Sequence, residues 1–231
     1  MQEQQDLIAA IRDRLLELRD ESYRTFQCAL MPTVDTERVI GVRTPHLRRL
    51  AKELHGTEAG ARFLASLPHT YYEENNLHAY LIALIDDPDT CFAALDAFLP
   101  HIDNWATCDS LRPACLRNCL DRLDRKIENW LDSPLPYTVR FAIEARMLYF
   151  LGTQFHPEYH TRIAAIQSDE YYVNMMIAWY FATALAKQWE ATIPYLREKI
   201  LPPWVHRKAI QKAIESRVIG EDQKPLLRAL R

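Results

Sequence analysis

The chain has 231 residues, 48% of them hydrophobic and 26% charged, with a formal net charge of −3. That length holds one sizeable core or one array of repeats without a second domain. The slightly acidic balance excludes a protein that grips nucleic acid through bulk positive charge.

With only 5 glycines, and no alternating apolar/polar run longer than a few residues, helices are expected throughout and strands few or absent. The expectation is an all-α protein in which residues 1–231 form a single domain. No stretch approaches the roughly 18 apolar residues of a membrane span, and the amino terminus shows no basic segment followed by an apolar run. A soluble cytoplasmic protein without a membrane segment is therefore expected. The five cysteines, Cys28, Cys91, Cys108, Cys115 and Cys119, form no CxxC pair and read as reduced, mostly buried thiols. Charge is unevenly spread: the last 31 residues carry seven Lys/Arg against three acids, which leaves −7 on residues 1–200. A basic end on an acidic body can hold a polyanion locally, and an ordinary solvated face explains it nearly as well.

Residues 2–20 predict an amphipathic helix, with Leu7, Ile8, Ile11, Leu15 and Leu16 mostly on one side. A second helix runs through Tyr23, Phe26 and Leu30 until Pro32. Next, Thr44 reads as an N-cap with Pro45 at the first helical position. The Gly41 loop would present Arg43 and open backbone N–H groups there, a place for a phosphate.

Beyond residue 70 the chain repeats. An aromatic, a polar residue or Cys three positions on, and an aliphatic three further recur from Tyr71, Trp105, Tyr137, Tyr171 and Trp204, at intervals of 34, 32, 34 and 33 residues. Second apolar helices lie between, from Cys91 to Leu99, Leu116 to Trp130, His160 to Ile166 and Ile193 to Ile200, with prolines at the joins. A helix pair every ~33 residues cannot bury its apolar face alone, so the pattern predicts neighbours stacked into a curved array. Equivalent positions would then form a ladder of Glu74, Cys108, Asp109, Arg140, Asn174, Arg207 and Lys208, read as the wall of a binding groove or as a solvated face.

Trp105 and Asp109, four apart on an expected helix, would point at the same thing. An acid beside a flat aromatic can bind a cationic or sugar-like group. Equally, Asp109 could cap a helix running from Arg112 to Trp130 while Trp105 fills the core. Among lesser signals, His156 and His160 have metal-like i,i+4 spacing but lack a third ligand nearby, and Pro157 points instead to a helix start. Glu73 and Glu74 diverge by about 100° on a helix, which favours first-turn acids over a catalytic pair. Cys108 reads as a packed thiol, and Cys115 and Cys119 as core on one helix face.

The Gly41-Val42-Arg43-Thr44-Pro45 loop, the Asn104-Trp105 pair with Asp109, Arg140 in Val139-Arg140-Phe141, and Ile177-Ala178-Trp179 followed by Val205-His206-Arg207-Lys208 together resemble the AlkD-like DNA alkylation-repair family of DNA glycosylases. The likeness spans nearly the whole chain. It implies a HEAT-like α-α superhelical solenoid of antiparallel helix pairs with a DNA-holding groove, and removal of cationic N3- and N7-alkylated purines from duplex DNA. By this resemblance Asp109 is the catalytic carboxylate, Trp105 and Trp179 contact the sugar-phosphate, and Arg140 holds backbone beside the acid. Arg43, Asn174, Arg207 and Lys208 would meet DNA further out. The chemistry is coherent: an alkylated purine is a good leaving group, so the glycosidic bond opens toward an oxocarbenium-like sugar that a fixed carboxylate stabilises. No metal or organic cofactor is implied, and a monomer is expected. The rival readings are a non-catalytic helical-repeat module that binds DNA structures or a protein with the acid idle, and a protein-interaction scaffold. The chain departs from DNA-acting family members, which tend to be basic.

Overall fold

A computed structural model describes residues 2–231, with side chains from Asp6 onward. Among the described residues there are fourteen α-helices, three short 3-10 turns and no strand. No helix there is long and apolar enough to cross a membrane. The chain divides into two compact units, Met1–Cys119 and Leu120–Arg231.

The first unit contains α1 (Gln2–Glu17), α2 (Glu21–Leu30), α3 (Thr44–Leu54), α4 (Glu58–Leu64), α5 (Tyr72–Ala83), α6 (Pro88–Phe98) and the single-turn α7 (Trp105–Cys108). Its starts are chemically marked. Asp20, Thr57, Asp87 and Asn104 accept first-turn N–H groups of α2, α4, α6 and α7. The helix at Thr44 begins one residue earlier than the sequence implied: Arg43 is the N-cap without a side-chain bond, and Thr44 and Pro45 open the first turn. α5 is buried around nearly its whole circumference, polar residues included, and is the central element; α3, α4, α6 and α7 pack against it. α3 shows the opposite pattern. It buries Leu47, Leu50, Ala51 and Leu54 in a core with Ile11, Leu15, Phe63 and Leu77, and turns Arg48, Arg49 and Lys52 to solvent.

The second unit contains α8 (Leu120–Leu131), α9 (Pro136–Phe150), α10 (Glu158–Ala164), α11 (Tyr171–Lys187), α12 (Trp189–Arg197), α13 (Pro203–Glu215) and α14 (Lys224–Ala229). α11 lies between α9 and α13, and α8, α12 and α14 each cover one of these three. α9 and α11 are buried all round. α8 instead carries a narrow apolar stripe of Leu123, Ile127, Trp130 and Leu131 under a charged face. At the centre sits Arg146, 1% exposed, bonded to Asp124 and to Glu128 at 2.6 Å with its guanidinium 3.8 Å from the Tyr159 ring.

The recurring aromatics fall at helix starts. Tyr71 is the residue before α5, and Trp105, Tyr137, Tyr171 and Trp204 lie in the first turns of α7, α9, α11 and α13. Two expectations give way. The helix expected from Leu116 starts at Leu120, after a 3-10 turn over Ala114–Asn118. Cys115 and Cys119 therefore share no α-helix face; Cys115 is buried in that turn and Cys119 ends it.

Candidate functional site

The Gly41 loop is an anion cradle, and the protein fills it itself. Glu73, 0% exposed, accepts the backbone N–H groups of Ile40 at 2.8 Å, Gly41 at 2.7 Å and Val42 at 3.2 Å. Gly41 holds φ +95, and a Cβ there would lie 2.6 Å from Arg24 Cβ and 2.7 Å from the Asp20 carbonyl, so only glycine fits. Burial pushes the Glu73 carboxyl above its ordinary value, with the three N–H groups opposing. The phosphate reading of these N–H groups is thus overturned, because a carboxylate already uses them. Arg43 remains half-exposed, paired with Asp20 at 2.8 Å and 5.0 Å from the Tyr23 ring.

Glu74 is equally structural. It closes the start of α5 by accepting the N–H groups of Thr70 and Tyr71, both at 2.9 Å, and it pairs with Arg12 at 2.8 Å. The expected polar ladder is therefore not one open wall: Glu74, Cys108 and Arg140 are buried, Asp109, Asn174 and Lys208 are half-buried, and Arg207 is exposed.

The turn bearing Trp105 and Asp109 is held from below. Asn104, 0% exposed, caps it through Thr107 N at 2.9 Å, and Thr107 Oγ1 donates to Asn76 Oδ1 at 2.8 Å across to α5. Asp103 beside it pairs with Arg38 at 2.8 Å. Trp105 packs half-buried beside Met31, Val34, Val39 and Tyr72, and its Nε1 donates to the Leu30 carbonyl at 3.3 Å. Asp109 is the residue after α7, its N–H bonded to the Trp105 carbonyl at 2.9 Å. It therefore does not open a helix from Arg112 to Trp130, and that half of the alternative falls, while Trp105 does pack against the core. Instead Asp109 and Ser110, both half-buried, line a cavity of about 430 Å3 with Arg48, Ala51, Lys52, Tyr80, Ala83, Leu84 and Arg112.

In the second unit, Arg140 on α9 is 3% exposed and its Nη1 donates to the Tyr172 carbonyl at 2.7 Å, in the first turn of α11. Trp179 on α11 is half-buried in a cavity of about 340 Å3 with Thr183, Lys187, Lys212 and Glu215 among its walls. Lys212 Nζ lies 5.7 Å from the Trp179 ring, and Lys208 Nζ 5.7 Å from the Trp204 ring. Burial lowers the Lys212 ammonium from its ordinary value; Glu215 opposes this, and Lys208 and Arg140 add to it. Asn174 donates Nδ2 to the Ser168 carbonyl at 2.8 Å and faces a small cavity with Asp169, Tyr171 and Trp204. Arg207 stands exposed on α13.

His69, His78 and His160 are core groups, and His156 is exposed. His160 lies between Tyr180 Oη at 2.8 Å and Thr192 Oγ1 at 2.9 Å, and Thr192 donates its own proton to the Gln188 carbonyl. Nε2 of His160 must then carry the hydrogen and Nδ1 accept from Tyr180, so neither nitrogen is open to a metal and His156 has no partner ligand in it. Burial holds His160 at about 4. His69 and His78 share a 2.8 Å hydrogen bond between stacked Phe63 and Phe98, and burial holds them at about 4 and about 2.

Sequence reasoning gave no role to Arg48, which belongs to the Gly41–Arg48 stretch that carries the resemblance, nor to Lys52 and Tyr80, although Arg48 and Lys52 are an i,i+4 pair on the polar face of an amphipathic helix. It also missed Asn76 and Thr107, whose role depends on a contact across 31 positions.

An all-helical protein of short packed helices, bearing an acid at the rim of a cation-lined cavity, is the class that fold and site define. The family model described as DNA alkylation repair enzyme matches residues 11–213, and the chain belongs to that family. A search of curated proteins gives no match.

Proposed function

We propose that this protein is a DNA glycosylase that hydrolyses the N-glycosidic bond of cationic N3- or N7-alkylated purines in duplex DNA. The observation that carries the reading is the position of Asp109: half-buried, fixed by a capped turn, and opening onto a cavity rather than spent on a helix start or sealed in the core. A carboxylate held in that way stabilises the oxocarbenium-like sugar as the cationic purine leaves, and it can orient the incoming water. Trp105 and Trp179 would lie against the sugar-phosphate, while Arg43, Asn174, Arg207 and Lys208 would meet more distant backbone. Arg140 fits a positioning role, since it secures the first turn of α11 through Tyr172. The two units would act as one domain, a HEAT-like superhelical array, in a cytoplasmic monomer.

The test is Asp109→Asn. Release of 7-methylguanine from alkylated duplex should fall by roughly 100-fold or more, with an unchanged unfolding midpoint. Wild-type protein that releases no alkylated base refutes the reading and leaves a non-catalytic DNA-binding module in its place.

A further inference from the structure

The cavity beside Asp109 is lined by three cations and one carboxylate, on a unit that is otherwise acidic: residues 1–119 carry 12 Lys/Arg against 18 Asp/Glu. Most arginines of this unit are occupied. Arg12, Arg14, Arg19, Arg24, Arg38, Arg43 and Arg62 all sit in ion pairs. Arg48 and Lys52 sit in none among the described residues, and α3 presents them one turn apart over the buried Ala51. Arg48 is steadied by the Tyr80 ring at 5.3 Å, and Tyr80 Oη lies 3.4 Å from Ser110 Oγ. Arg112, on the same cavity wall, donates Nε to the Asp109 carbonyl at 3.1 Å.

We propose that this cavity is a phosphodiester subsite, in which Arg48, Lys52 and Arg112 hold the DNA backbone next to the nucleotide whose sugar faces Asp109. The assignment rests on the reading of the protein as one that acts on DNA. A lesion purine carries positive charge, and three cations repel it, so the cavity is the wrong place for the base. A phosphodiester is attracted by the same three groups, and the rigid forks of two arginines match its paired oxygens. Asp109 repels phosphate and thereby keeps the anion on the Arg48 and Lys52 side, away from the position where a cationic sugar develops. The subsite would thus register the strand, so that the acid meets a sugar and not a phosphate.

The experiment measures equilibrium binding of a fluorescein-labelled 20-mer duplex across a salt series, with the strand either undamaged or bearing one 7-methylguanine. The Arg48→Ala/Lys52→Ala double variant should weaken binding of both duplexes equally, roughly 10-fold or more at low salt. It should also make the slope of log affinity against log salt shallower by about 2. Arg49→Ala, an exposed neighbour on α3 outside the cavity, controls for general loss of charge and should cause a smaller change. An unchanged slope in the double variant overturns the proposal. So does a loss confined to the lesion duplex, which would make the cavity a base pocket, or competition by inorganic phosphate beyond that of chloride at equal ionic strength, which would make it a small-anion site. Binding to undamaged duplex needs no base release, so this proposal and the glycosylase reading can fail separately.

Discussion

Replacing Glu73 with glutamine should destabilise the first unit without touching its surface. Glu73 Oε1 accepts from Gly41 and Val42 while Oε2 accepts from Ile40. Glutamine keeps one acceptor oxygen but sets an NH2 donor against a backbone donor, leaving one buried N–H unmatched at about 1–3 kcal/mol and weakening two charge-assisted bonds. Against this, glutamine escapes the desolvation that raises the Glu73 pKa, so a net loss of about 2–3 kcal/mol is expected. Glu73→Ala strands all three donors and should cost about 3–6 kcal/mol, a large share of the ~5–15 kcal/mol typical of a domain. Urea unfolding of the three proteins, compared at equal slope, reads these differences directly. Alanine also leaves a carboxylate-sized space under three N–H groups, so formate should raise the midpoint of Glu73→Ala and not that of wild type, by about 1.4 kcal/mol at ten times its dissociation constant. A Glu73→Gln midpoint equal to wild type, or formate acting alike on both proteins, would show that the Gly41 loop is held by something other than this carboxylate.

Gly41→Ala should cost at least ~2 kcal/mol, since it combines a positive φ with a Cβ 2.6 Å from Arg24 Cβ; an unchanged unfolding curve would contradict this. Arg146→Ala leaves Asp124 and Glu128 facing one another without their shared cation, and as both are partly solvated the loss belongs near the low end for a broken buried pair, ~3 kcal/mol or roughly 6–12 °C in Tm by calorimetry. His69, His78 and His160 are buried neutral with values below 6.5. The unfolded chain therefore binds protons that the folded chain refuses. Stability should be fully present above about pH 6.5 and fall as pH drops toward 4, by ~1.4 kcal/mol per pH unit for each group. A His160→Gln variant whose pH slope matches wild type would remove His160 from that account.

How much of this was readable in the sequence depends on whether the cause was local. The prolines at the joins before α6 and α13 and the recurring aromatics at helix starts act within one turn, and they were legible, whereas the N-cap read at Thr44 fell one residue late. The fate of Glu73 was not. Its adjacent pair with Glu74 looked like first-turn acids, and nothing nearby signals that the partners of Glu73 lie 31 to 33 residues upstream. The same holds for the polar ladder. Correct helix periodicity placed Glu74, Cys108 and Arg140 at equivalent positions, but period says which residues share a face and not what covers that face. Arg48 and Lys52 drew no site reading from the sequence, because they become a site only once Tyr80 and Asp109 are folded against them.

Net charge is the least informative number in this chain for recognising DNA. A phosphate responds to charge within roughly a Debye length, about 8–10 Å, and not to the molecule's total. Several of the acids that make residues 1–119 negative are matched: Asp20, Glu53, Glu58, Glu74 and Asp103 each face an arginine, and Glu73 faces backbone N–H groups. What a polyanion would feel at the cavity is Arg48 and Lys52, which sit in no ion pair among the described residues.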